Sequence, residues 1–216
     1  VSDETQASSS DVFVNCPFDD DYKLIFDALI FTVFACEFRP RSALEIEDGS
    51  QPRIEKLHDI IAQCRYGIHD LSRTELDDHN QLPRFNMPLE LGIFLGAKKF
   101  GDEAQRQKKC LILDVERYRY QKFISDLSGM DIRAHGGEPN RAIGCARDWL
   151  ANVSRRALPS ARLVQDAYGD FLAHKRKVAS KLGFEENSIP YVDYERLVTA
   201  WLLEAPPHRT RRKKSD

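Results

Sequence analysis

The stretch KKCLILDVE, residues 108–116, is an unbroken apolar run set between charges, and its reading decides the fold. A run this short, bounded by polar residues, reads as a strand rather than a helix. Working outward, YGIHDLS (66–72) is a strand that ends in polar residues, and RPRSALEIE (39–47) is a weaker one. DVFVNCPF (11–18) opens with a β-branched and aromatic run that stops at a proline, and DIRAHGG (131–137) supplies a short last strand. Helical spacing fills the gaps between them. Residues 21–38, DYKLIFDALIFTVFACEF, are apolar all round and predict a well-buried helix. Ile54, Leu57, Ile60 and Ile61 mark a helix within 48–64, and RFNMPLELGIFLGAKKFG (84–101) holds another. RYQKFISDLSG (119–129) and PNRAIGCARDWLANVSRR (139–156) complete the series.

Strand and helix therefore alternate five times between residues 11 and 156, which argues for a parallel sheet with helices on both faces. The expected class is α/β, a flavodoxin-like five-stranded parallel sheet flanked by helices, with a C-terminal helical extension. The extension, 157–205, has two amphipathic segments. The first carries Leu163, Val164, Ala167, Tyr168, Phe171 and Leu172. The second carries Leu197, Val198, Trp201 and Leu202, with Asp193 as its expected N-cap. The two helices are expected either to pack on the sheet domain or to serve self-association. Residues 1–10 read as a disordered leader and 206–216 as a basic tail.

Totals narrow the function classes. With 216 residues, 42% hydrophobic and 31% charged, the chain has the material for one sizeable core. A net charge of −2 gives no case for a membrane surface, and nucleic-acid contact is expected only weakly, through the tail. The most hydrophobic stretch is interrupted by Asp27 and ends at Glu37, so no membrane span is expected. Five widely spaced cysteines without a C-x-x-C or a close His/Cys pair suggest neither a disulfide framework nor a metal site. They suit a reducing cytoplasm.

In a sheet of this order, ligands bind beyond the carboxyl ends of strands one and three. Asn15, Cys16, Pro17, Phe18 and Asp19 follow the first of these strands, and His69, Asp70, Leu71 and Ser72 end the third. The helix starting near Asn86 borders the same crevice, with Asn86 as its expected N-cap and Pro88 in its first turn. Glu90 sits one turn in. Its helical neighbours are Asn86, Met87, Ile93 and Phe94, and three of these four are large and apolar. A carboxylate on such a stripe must be paired, solvated by a cleft, or functional. The structural alternative is a pairing with Arg84 or a lysine. Gly92 and Gly96 are expected to let this helix approach the sheet closely. Asp70 reads equally as a ligand contact or as a cap on the turn at Ser72 and Arg73. Cys16 as a nucleophile fails for want of a C-x5-R. His69 and His135 near strand ends are expected to be hydrogen-bonded structural residues before they are acids or bases. Asp19, Asp20 and Asp21 read as a polar helix start before a Mg²⁺ site.

The segment RFNMPLELGIFLGAKK resembles the R-x-N-(apolar)-x-x-E-x-G-x-(aromatic)-x-G segment of bacterial TIR-like nucleotide-binding domains. It is also similar to the Glu-bearing helix of nucleoside 2-deoxyribosyltransferases. DVFVNCPFDDDY and GIHDLS resemble the first and third strands of that superfamily, so the likeness covers roughly residues 11–150. The resemblance implies that Glu90 is catalytic, with Asp70 a second carboxylate. It places Asn15 and the backbone of Cys16, Pro17 and Phe18 at the floor of the nucleotide site, with Ser72, Arg84 and Asn86 beside them. It implies N-glycosidase chemistry on NAD or a related nucleotide, no tightly bound cofactor, a homo-oligomer, and a role in bacterial anti-phage defence. A nucleotide-binding sensor without turnover and an oligomerising interaction module are the alternatives.

Overall fold

The computed structural model describes residues 8–45, 48–74, 76, 82–185 and 188–207. Most of the expected leader, part of the 73–83 loop and the basic stretch 208–216 lie outside the described residues. Five parallel strands form one sheet in the order β2-β1-β3-β4-β5: β1 Ser8–Asn15, β2 Arg39–Arg41, β3 Cys64–Asp70, β4 Lys109–Asp114 and β5 Ile132–Ala134. This is the flavodoxin-like order expected from the alternation. β1 starts at Ser8, three residues earlier than the sequence suggested.

Seven helices surround the sheet among the described residues: α1 Lys23–Ala35, α2 Arg53–Gln63, α3 Asn86–Phe100, α4 Glu103–Arg106, α5 Pro139–Ser154, α6 Ala161–Leu182 and α7 Tyr191–Glu204. The strands bury side chains on both faces of the sheet. Val12 and Val14 of β1, with Tyr66 and Ile68 of β3, pack under α1 and α5. Phe13 on the opposite face joins Leu57, Ile60 and Ile61 of α2 and Phe94 of α3. Burial on both faces explains why KCLILD shows no polar alternation.

α1 is apolar all round because it is covered twice. The sheet lies on one side, and on the other α6 and α7 set Tyr168, Phe171 and Trp201 around Phe31, with ring centroids 5.2–5.8 Å apart. The one buried charge on α1, Asp27, is 1% exposed and meets Lys23 at 3.0 Å and Lys175 of α6 at 3.1 Å. The Tyr194 hydroxyl of α7 donates to the Asp27 carbonyl at 2.7 Å. The Tyr- and Trp-bearing faces of the extension thus belong to the same core as the sheet.

Several local expectations are corrected. The second strand is three residues long, because Arg41 draws Glu45 back on itself (2.5 Å) and residues 42–45 turn. In place of a helix at 119–129 there are two 3-10 turns, Arg119–Lys122 and Ser125–Leu127. Tyr118 enters them in the left-handed region at φ 64°, and Ile124 breaks the path between them. α4 was not anticipated; Asp102 caps it by accepting from the Gln105 amide at 2.8 Å. α7 begins after Pro190, so Asp193 lies inside the helix, accepting from Arg196 at 3.1 Å, and is not its cap. No helix is long and apolar enough to cross a membrane among the described residues.

Candidate active site

β1 and β3 run side by side with Asn15 opposite His69, and their connections leave toward opposite faces, to α1 and to α3. Asn15 is 1% exposed, and its side-chain amide donates to the Met87 carbonyl at 3.0 Å and to His69 Nδ1 at 3.1 Å. The first bond pins the opening turn of α3 to the strand ends. The second makes Nδ1 an acceptor and leaves the ring proton on Nε2. Burial, with the Lys108 charge behind it, pushes His69 down to about 3. His69 is therefore a neutral wedge, packed edge-on against Phe94 at 4.9 Å, and not an acid or base.

Close approach of α3 to the sheet comes from an unexpected glycine. A Cβ on Gly67 of β3 would stand 2.7 Å from His69 Nε2 and 2.9 Å from the Phe94 ring. Gly92 and Gly96 have open space where a Cβ would go, so they do not bring the helix in, contrary to expectation. Asn86 is also corrected: it is the first helical residue and is exposed, while Phe85 holds the cap position without a side-chain cap.

Glu90 is 3% exposed, and among the described residues it makes no hydrogen bond or ion pair. Burial pushes its carboxyl from the ordinary 4.5 up to about 7, with the Arg53 charge opposing. Arg84, its expected structural partner, turns to Asp19 at 3.2 Å. Arg73 bridges Asp19 at 3.2 Å and Asp21 at 2.9 Å, and Asp19 also accepts from the Tyr22 amide at 3.1 Å. The acidic run is therefore a helix start tied down by arginines. Among the described residues no group of three or more His, Cys, Asp or Glu is placed to hold a metal ion.

Asp70 and Ser72 are joined to each other and to His135. Asp70 is fully buried; Oδ1 accepts from the Ser72 amide at 2.8 Å, and Oδ2 lies 3.0 Å from His135 Nε2. The Ser72 hydroxyl meets the same Nε2 at 2.9 Å, while the Gly137 amide donates to Nδ1 at 3.0 Å. Burial alone would raise Asp70, but the bonds from His135 and Ser72 outweigh it and hold the carboxyl below its ordinary value. This is the turn-capping arrangement, extended by a histidine. Cys16 is fully buried; burial first, then the charges of Asp70 and Glu90, push its thiol well up, so it stays protonated and inert. The charges of both carboxylates act on Cys16, and Glu90 is the one without a partner.

Arg53 was missed by the sequence reading. It is the exposed first residue of α2, its guanidinium lies 5.8 Å from the centre of the Phe18 ring, and its charge acts on Glu90. A signal was present: a cation at a helix N-terminus opposes the helix dipole and asks for an anion nearby. Tyr22 was also missed; its hydroxyl is buried among Asp70 and Cys16. The arrangement defines a doubly wound parallel α/β domain with one unpaired, near-neutral carboxyl at its switch point. No protein-family profile, curated protein or solved structure matches the chain.

Proposed function

We propose that this chain is an N-glycosidase-type enzyme that breaks the ribosyl C–N bond of NAD or a related nucleotide, with Glu90 as the catalytic carboxylate. One observation carries the reading: a buried glutamate without a partner, raised to about 7, at the crevice where doubly wound sheets bind ligands. When the C–N bond breaks, its electron pair leaves with the base and the anomeric carbon becomes cationic. A carboxylate in a low-dielectric crevice stabilises that cation, or closes on it as a glycosyl ester that water then opens. An exposed Arg53 whose charge acts on Glu90 supports a phosphate contact beside it. Asn15 positions α3, and so Glu90, through Met87. The resemblance of the Glu90 segment to TIR-like domains and deoxyribosyltransferases points the same way. From it come the proposed role in bacterial defence, the homo-oligomer and, with five free cysteines, the cytoplasmic setting.

Product analysis after incubating the protein with NAD and a panel of nucleosides tests this. Wild type is expected to release the base. Glu90→Ala and Glu90→Gln should lower the rate by about 10³-fold or more with folding intact. Because the ionised form acts, kcat/KM should rise with pH through about 7 and level off above it. Binding without base release at any protein concentration would replace this reading with the sensor.

A further inference from the structure

A cavity opens beside Phe18, and the C-terminal extension forms one wall of it. It lies between the Pro17–Asp19 loop, the start of α1 and the start of α7, and encloses ≈ 80 Å³. A single water needs about 10–15 Å³ by the same kind of measure, so there is room for a flat ring. Phe18 stands edge-on to Phe26 at 5.5 Å, and Phe26 is tilted against Tyr191 at 5.9 Å, so adjoining aromatic rings line the cavity. Leu44 and Ile189 close the apolar part. The rim is polar: the Lys23 ammonium, held 3.0 Å from Asp27, offers donors, while Asp19 is engaged by Arg73 and Arg84.

We infer that this cavity holds the base of the nucleotide whose sugar Glu90 faces, so that α7 is a specificity element of the site. The inference rests on the proposed glycosidase reading and deepens it. Three features select a nitrogenous ring over an aliphatic group. Aromatic walls favour a flat π-system, and most of all a ring carrying positive charge, by stacking and cation–π attraction. The Lys23 donor on the rim matches an acceptor on the ring edge, a carboxamide oxygen or a ring nitrogen. Phe18 is shared: it lines the cavity while the Arg53 guanidinium lies over its ring and acts on Glu90. Through that link, a base in the cavity would direct its sugar toward Glu90 and its phosphate toward Arg53. Tyr191 keeps its ring in place by donating its hydroxyl to Glu195 at 2.8 Å.

The test is calorimetric titration of the full chain carrying Glu90→Gln, which binds without turning over, with free nicotinamide, free adenine and ribose 5-phosphate. At least one base is expected to bind. Adding Tyr191→Ala should weaken that base tenfold or more and leave ribose 5-phosphate unchanged, while Tyr191→Phe keeps the ring and the affinity. Leu44→Trp fills the cavity from a partly buried position at the edge of the core and should also abolish base binding, which covers the case of a Tyr191→Ala chain that misfolds. Base affinity indifferent to Leu44→Trp, or no base binding beside intact ribose 5-phosphate binding, overturns the inference. If a base binds in the cavity and wild type still releases none from any nucleotide, the glycosidase reading fails while the cavity assignment stands.

Discussion

Glu90 is held where its charged form is disfavoured, and that has a consequence for stability as well as chemistry. Its carboxyl titrates near 7 in the folded chain and near 4.5 when exposed, so the folded state holds the extra proton between those values. The stability this contributes is full below about 4.5 and is lost as pH rises through about 7. The difference corresponds to roughly 3 kcal/mol. Glu90→Gln, which does not titrate, should therefore gain stability relative to wild type between pH 5 and pH 8, by up to about that amount. Urea unfolding at the two pH values measures it, and an equal difference at both would mean that the carboxyl is ionised throughout. Loss of turnover with a gain of stability is the pattern of a functional site. At this scale the sequence was informative about Glu90, because three and four residues away it sees Met87, Ile93 and Phe94. It was uninformative about Asp70, since nothing in GIHDLS says that His135, 65 positions later, closes on the same carboxylate.

Among the elements, α3 and α1 show how neighbours set the meaning of a residue. The glycines of α3 suggested a close helix–sheet contact, yet the close contact is made by Gly67 in the strand beneath. Gly96→Ala should stabilise the fold by about 0.5–1 kcal/mol, since a helix interior favours alanine and the space is open. Gly67→Ala should cost about 1–3 kcal/mol and push α3 outward, because both neighbours of the new methyl are packed rings. Thermal or urea unfolding of the two variants separates the explanations; a neutral Gly67→Ala would show that α3 has slack. On α1, Asp27 interrupts an apolar run for a reason that lies in α6, where Lys175 is 2% exposed. Lys175→Met alone should destabilise, by about 3–5 kcal/mol at most, with Lys23 left to moderate the loss. Asp27→Leu together with Lys175→Met should recover much of that. Double-mutant unfolding energies that simply add would remove the pair from the account.

For the whole molecule, the question is whether residues 157–205 are an appendage. They bury Val164, Tyr168, Phe171, Tyr194 and Val198 in the core that contains α1, and they wall the cavity at Phe18. A chain ended at Arg156 would expose Phe31 and the outer side of α1. It is expected to aggregate or to lose its cooperative transition, which size-exclusion chromatography and circular dichroism would report. A soluble, cooperatively folding truncation would restore the extension to an independent module. The sequence alone determined the alternation of strands and helices, the parallel sheet and its switch point, and the carboxylate on an apolar stripe. All of these are read from hydrophobic period and turn residues within a few positions of each other. Tertiary structure alone decided that α6 and α7 cover α1, that Arg84 leaves Glu90 for Asp19, that Arg53 lies over Phe18 with its charge on Glu90, and that Gly67 sets the spacing. These depend on which side chains meet across tens of residues, and a local pattern cannot record the partner that burial and charge will select once the layers close.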